Sequence, residues 1–489
     1  MQANGSEQQV VEGVQTALFI GGEWVPAEDG ATFAVDDPST GRTLTHVADA
    51  GTADALRALD AAAQAQPAWA ATAPRERSDI LRRAYDLLLE RQDDLALLMT
   101  LEMGKPVAEA KGEIAYAAEF FRWFSEEAVR IDGGFAVAPS GQGRLLVTKQ
   151  PVGPCVLITP WNFPMAMGTR KMGPAIAAGC TMIVKPAEQT PLSMLALADI
   201  LKEAGLPDGV LNLVTTSRPA EVVKPLLDDG RARKLSFTGS TDVGRLLLSE
   251  CAPKVMRASM ELGGNAPFLV FEDADLDAAV DGAMLAKMRN SGEACTAANR
   301  FYVHTSVADE FARRLGDRMG ALKVGRGVED GVAVGPLIDA AALDKVESLV
   351  EDAVERGAQV VVGGKPIGSA GYFYAPTVLT NVPGDARMRH EEIFGPVAPI
   401  TTFDTEDDAV SAANDTEFGL AAYVFTQDLD RAIRVSERLE VGMVGLNQGI
   451  VSNPAAPFGG MKASGLGREG GHVGIDEFLE TKYVAIATR

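Results

Sequence analysis

From Pro151 onward the chain repeats one unit: a short apolar run closed by a Pro, Gly or polar residue, then a longer stretch with helical spacing. The runs are CVLITP (155–160), TMIVKP (181–186), VLNLV (210–214), KLSF (234–237) and MRASMEL (256–262). Strands this short and this uniformly apolar need cover on both faces, which a parallel, doubly wound sheet with helices on each side supplies. That restricts the chain to the α/β class and directs attention to one edge, because such sheets bind ligands at the carboxyl ends of their strands. A second α/β unit begins with PFLVF (267–271) and extends to about residue 463, with GPLID (335–339) and EIFGPV (392–397) as loop-like interruptions.

Upstream, residues 52–125 read as helices, with Leu56, Leu59, Ala62 and Ala63, then Ile80, Leu81, Tyr85 and Leu88, recurring at helical spacing. The aromatic cluster Phe120, Phe121, Trp123 and Phe124 reads as packing. GGFAVAPSGQGRLLVTKQ (133–150) alternates like a hairpin, and the tail at 483–488 is strand-like. Both would leave open sheet edges in a lone subunit, so pairing between subunits is expected. At 489 residues the chain exceeds the ~250–300 that one core supports, which implies two large domains and a small appendage.

Charge narrows the partners. With 45 Lys and Arg against 67 Asp and Glu the net charge is −22, which argues against nucleic acid and anionic membrane. An anionic ligand would need cations placed for it. The 4 cysteines, Cys155, Cys180, Cys251 and Cys295, are too few and scattered for a disulfide framework or a metal site, so no metal is expected. The polar start lacks a signal-peptide pattern and no run of ~18 apolar residues exists, so a cytoplasmic protein is expected.

Five segments carry chemistry. SFTGSTDVG (236–244) follows a strand and opens a helix without being a GxGxxG turn. Its amides suit a phosphate, and an ordinary serine cap is the competing reading. KPAEQTP (185–191) offers Lys185 and Glu188 either to an adenosine ribose or to solvent, and the Glu188 carboxylate would repel a 2′-phosphate. TPWNFP (159–164) places the Asn162 amide at a strand end, as an oxyanion donor or in a Pro-flanked turn. MELGGN (260–265) closes an apolar strand with Glu261, whose desolvation would make it a base near neutrality. NSGEACTAANR (290–300) sets Cys295 among small polar residues, while the other three cysteines sit in apolar or helical surroundings. Cys295 is therefore the candidate nucleophile, needing a lowered thiol pKa to react readily.

In this order and at these intervals the segments resemble the aldehyde dehydrogenase superfamily, from GGEWV (21–25) to SGLGREGG (464–471). The resemblance implies Cys295 as nucleophile, Glu261 as the base for hydrolysis, and Asn162 with the Cys295 amide as oxyanion hole. It implies Lys171 in a proton relay. Thr159, Pro160, Trp161, Lys185, Glu188, Gly239, Ser240, Leu262, Glu392 and Phe394 become contacts to NAD, with NADP as a possible alternative. TRKMGPAIAAGC (169–180), KMRNSGEAC (287–295) and FGGMKASGLGREG (458–470) are most similar to the subgroup acting on succinate semialdehyde. There Arg170, Arg289 and Ser452 match the residues that hold the substrate carboxylate, a task suited to the planar arginine fork.

The same resemblance implies a cofactor domain (1–131 and 152–263), a catalytic domain (264–463) and an oligomerisation element (132–151 and 464–489) that makes a homo-oligomer. Two departures stand out. Glu293 replaces the family's usual glutamine, adding a charge expected to raise the thiol pKa. Ala297 takes a place that holds a second cysteine in some members, so no disulfide switch is expected. Rival readings are a dehydrogenase for glutarate semialdehyde, a CoA-acylating enzyme and a non-catalytic member of the fold; Glu261 argues against the second, and Cys295 with Glu261 against the third.

Overall fold

In a computed structural model of the chain, which describes residues 5–487, the strand–helix rhythm becomes two sheets set end to end. Among the described residues, a short helix at Gly5–Glu12 and four longer ones come first: α1 (Thr52–Ala71), α2 (Pro74–Glu90), α3 (Gln92–Met103) and α4 (Val107–Glu127). Phe120, Phe121 and Phe124 are buried on α4, as their clustering implied, and Trp123 donates its indole N–H to the Gly471 carbonyl at 3.0 Å.

The first sheet contains β1 (Cys155–Ile158), β2 (Met182–Lys185), β3 (Leu211–Leu213), β4 (Lys234–Thr238) and β5 (Arg257–Glu261). They run parallel in the order β3–β2–β1–β4–β5. Every residue of β1, β2 and β4 is buried, the result of helices covering both faces. Winding proceeds outward in opposite directions from β1 and β4, so the crevice at their carboxyl ends is the switch point where such sheets bind ligands. Three helices that follow strands matter for the site: α5 (Ala166–Ala178), α6 (Pro191–Glu203) and α7 (Thr241–Cys251).

The second sheet holds β6 (Ala266–Val270), β7 (Ala298–His304), β8 (Thr377–Thr380), β9 (Val397–Phe403), β10 (Ala421–Phe425) and β11 (Met443–Leu446). These are parallel in the order β8–β9–β7–β6–β10–β11, with Gln359–Val362 antiparallel on the edge. Residues 262–265 carry the chain from the end of β5 to the start of β6. The loop after α8 (Leu276–Met288) leads into β7. The carboxyl ends of one sheet therefore meet the amino ends of the other.

The expected hairpin forms from Gly134–Val137 and Arg144–Pro151, and Leu479–Ile486 pairs with it as a third strand. At the start of the expected oligomerisation element, Gly465–Leu466 pairs with β5. Ser464 explains this, since its hydroxyl donates to Gly263 and its carbonyl accepts from the Leu262 amide. Residue 488 of the expected tail strand lies outside the described residues. Among the described residues no helix is long and apolar enough to cross a membrane.

Candidate active site

Cys295 lies on a tightly turned loop between α8 and β7. Asn290 (φ 55°), Ser291 (φ 55°) and Gly292 (φ 81°) all adopt the left-handed conformation, which is costly for the first two and persists only where surroundings hold it. Those surroundings are visible. Glu109 accepts from the Asn290 amide at 2.7 Å, and Asn290 Nδ2 donates to the carbonyls of Asn162 at 2.9 Å and Glu293 at 3.0 Å. Asn162 Nδ2 donates to the Glu293 carbonyl at 2.9 Å, which orients its amide and leaves its second N–H for a ligand. A Cβ on Gly264 would stand 2.2 Å from the Cys295 carbonyl, so only glycine lets residues 262–265 pass against this loop. Cys295 is partly exposed, whereas Cys155, Cys180 and Cys251 are buried.

Glu261 ends β5 with its Oε2 buried and without a hydrogen-bond partner. Burial, reinforced by Glu469, pushes its carboxyl well above the usual range against the pull of Arg170, Lys171 and Arg468. Behind it lies a buried ionic cluster. Glu469 meets Arg170 Nε at 2.5 Å and Lys171 Nζ at 2.6 Å, and Lys171 also donates to Ser236 at 3.0 Å. Burial alone would raise the Glu469 carboxyl, but Lys171 and Arg170 outweigh it and hold it below the usual value. Sequence reasoning missed Glu469; a lone acid inside a glycine-rich segment was the available signal.

A cavity of about 380 Å³ joins these parts. Pro160, Trp161, Asn162, Arg170, Gly239, Ser240, Glu261, Leu262, Arg289, Cys295, Glu392, Phe394 and Ser452 all line it. Thr159, Lys171, Lys185 and Glu188 do not. Thr159 is buried past the end of β1, and Lys171 faces the ionic cluster, where it pairs with Glu469. Lys185 is buried at the end of β2, 3.9 Å from the half-exposed Glu188.

The residues present suit a dinucleotide. Thr159 Oγ1 and Thr238 Oγ1, past β1 and on β4 at the switch point, are buried without hydrogen-bond partners. Ser240 caps α7, accepting from the Val243 amide at 3.5 Å, so the cap reading holds and the helix start still faces the cavity. Glu392 accepts from the Gly264 amide at 3.1 Å, and burial lifts its carboxyl to about 7. Trp161 and Phe394 meet edge to face at 5.4 Å.

The far end of the cavity is cationic. The Arg289 guanidinium lies 4.7 Å from the Phe163 ring centre and 5.8 Å from that of Tyr116, with Nη1 3.5 Å from Ser452 Oγ. Arg170 sits 4.1 Å over Phe458. Tyr116, Phe163 and Phe458 were not singled out from the sequence, because aromatic residues there look like ordinary packing.

Two electrostatic expectations need correcting. Burial pushes the Cys295 thiol up to about 12 rather than down; Arg170 and Arg289 favour the thiolate, while Glu392 and Glu261 oppose it. Glu293 is not the charged neighbour expected. Its carboxyl is fully buried, Oε1 accepts from the Ile338 amide at 3.1 Å, and burial holds its pKa well above the usual range.

The profile described as the aldehyde dehydrogenase family matches residues 24–484. A succinate-semialdehyde dehydrogenase of Paenarthrobacter nicotinovorans is 60% identical over 91% of this chain and 99% of its own. A glutarate-semialdehyde dehydrogenase of Pseudomonas putida is 54% identical over 96% and 97%. The crystal structure of betaine aldehyde dehydrogenase from Staphylococcus aureus in complex with NAD+ superposes with a TM-score of 0.96 at 33% identity, covering 99% of this chain and 97% of that one.

Proposed function

The chain belongs to the aldehyde dehydrogenase family, and from that membership we propose that it oxidises succinate semialdehyde to succinate with NAD. The observation that carries this reading is that Arg170 and Arg289 line the same cavity as Cys295 and Glu261. Two guanidinium groups beside a thiol and a carboxylate, in a protein of net charge −22, fit an aldehyde with a carboxylate at its far end. Glutarate semialdehyde is the second reading, supported by the 54% identical relative of that name.

In this reading the Cys295 sulfur attacks the aldehyde carbon. Asn162 Nδ2 and the Cys295 amide hold the oxygen that becomes negative, a fixed pair of donors that needs no reorganisation. Burial favours the protonated thiol, so as the sulfur attacks, its proton passes to solvent water, helped by the fields of Arg170 and Arg289. When bound, NAD would supply the hydride acceptor for the substrate carbon. Thr159, Pro160, Trp161, Gly239, Ser240, Leu262, Glu392 and Phe394 would hold it, with Lys185 and Glu188 at the adenosine end. Glu188 would meet a 2′-phosphate with like charge, so NADP serves less well. What remains on Cys295 is a thioester. Glu261 in its ionised form, a stronger base for its raised pKa, then takes a proton from water, the water oxygen attacks the thioester carbonyl, and the carbon–sulfur bond breaks to release the acid.

The first sheet is then the cofactor-binding unit and the second the catalytic unit. The hairpin and tail strand expose Phe135, Val137 and Tyr483, which supports a homo-oligomer joined through that sheet. Cysteines free of a disulfide framework support a cytoplasmic setting.

A panel of kcat/KM values for succinate semialdehyde, glutarate semialdehyde and butanal, each with NAD and NADP, tests this. Losing an ionic hydrogen-bond partner typically costs about 1.5–3 kcal/mol, so butanal should be poorer by about ten- to hundred-fold. Arg289→Met should erase most of that difference. Equal turnover of butanal and the semialdehydes would end the carboxylate reading.

A further inference from the structure

The loops bearing Asn162 and Cys295 share a brace that the mechanism above does not use. Lys105, just before α4, is 2% exposed. Its ammonium donates to the Asn162 carbonyl at 2.8 Å, pairs with Glu113, and lies 4.2 Å from the centre of the Phe163 ring. Glu113 turns its other oxygen to the amides of Met165 and Ala166 at 3.0 and 3.1 Å, where α5 begins. Glu109, one turn earlier on the same face of α4, accepts from the Asn290 amide in the Cys295 loop.

Keeping an ion pair in a dry interior is weak evidence of a stabilising role, since well-packed apolar residues often serve stability as well or better. The pair's contacts instead converge on one peptide. The Asn162 carbonyl receives both Lys105 Nζ and Asn290 Nδ2, and the Asn162 side chain is fixed by the Glu293 carbonyl. Rotating that peptide would swing the Asn162 amide away from the aldehyde oxygen.

We infer that Lys105 and Glu113 are positioning residues for the oxyanion hole, fixing the Asn162 carbonyl and the start of α5 so that the Asn162 amide meets the developing negative charge. The inference rests on the roles given above to Cys295 and Asn162. Neither Lys105 nor Glu113 lines the cavity that holds Cys295, so they act through Asn162.

The double variant Lys105→Met/Glu113→Gln removes both charges and leaves neither alone in the interior. Two reactions at Cys295 that need no cofactor separate positioning from general disruption. With 4-nitrophenyl acetate the sulfur bonds to the acyl carbon, an oxyanion forms, and 4-nitrophenolate leaves. With iodoacetamide the sulfur displaces iodide and no oxyanion forms. The double variant should acylate about ten- to hundred-fold more slowly, while its alkylation rate stays within about twofold of the parent. Lys105→Arg, which keeps the charge opposite Glu113 but moves the donors, is the second variant and should show the same split at smaller size. Unchanged acylation, or acylation and alkylation falling by the same factor, would overturn the inference. Peptide mapping of the parent protein judges the underlying reading separately: acyl label on a residue other than Cys295 would remove Cys295 as nucleophile whatever the variants do.

Discussion

Two residues ahead of the candidate nucleophile, Glu293 puts a carboxyl where a charge would oppose thiolate formation, and burial raises its pKa, which favours the neutral form. The side chain is buried, Oε2 has no partner, and the nearby charges are Lys105, which favours ionisation, and Asp339, which opposes it. Because the folded carboxyl holds its proton to higher pH than the unfolded one, its contribution to stability is complete below about pH 4.5 and declines as pH rises toward the folded value. The decline is at most about 1.4 kcal/mol per pH unit. Glu293→Gln supplies a neutral side chain of the same shape at every pH. Its Tm should therefore gain on the parent protein progressively from pH 5 to pH 8, by on the order of a few °C, as scanning calorimetry would record. A difference that stays constant with pH would mean Glu293 is ionised in the fold. At this scale the sequence was most legible where a residue broke its surroundings: Glu261 at the end of an apolar strand, Cys295 in a small polar loop. It was least legible where function depends on a distant partner, as for Lys171 with Glu469 or Lys105 with Asn162.

At the scale of elements, the parallel strands were readable because burial on both faces keeps them short and mostly apolar. The antiparallel pieces ahead of α1 were not: those at 18–20 and 32–48. Leu18–Ile20 has three residues, too few to show a period, and Thr32–Asp37 with Arg42–Ala48 mixes exposed and buried positions in a single hairpin. Loop geometry was hidden for another reason: the left-handed run at 290–292 depends on Glu109, 181 residues from Asn290. The hairpin and tail strand were legible as a pair but not as one sheet. Phe135 and Tyr483 remain 68% and 58% exposed on it, large apolar side chains with no cover from their own chain. Light scattering should give a mass that is a multiple of 51.6 kDa, reduced by the pair of substitutions Phe135→Asp and Tyr483→Asp. A parent protein that runs as a single chain would contradict subunit pairing through this sheet.

Across the whole molecule, two sheets of one design meet at opposite ends, and the candidate site occupies the seam. One contributes strand ends that suit a dinucleotide; the other contributes the loop with the thiol, and residues 262–265 bind the two by running from Glu261 past the Cys295 carbonyl. The chain as a whole carries excess negative charge, while Arg170 and Arg289 supply local positive charge where an anionic substrate would sit. The central claim is a division of labour: Cys295 forms the thioester and Glu261 is needed only to hydrolyse it. Rapid mixing of Glu261→Gln with succinate semialdehyde and NAD tests this most directly. The account predicts one equivalent of reduced cofactor per site in a fast burst, followed by steady turnover slowed by about 10²-fold or more. Absence of the burst with thioester hydrolysis intact, or steady turnover equal to the parent, would contradict it.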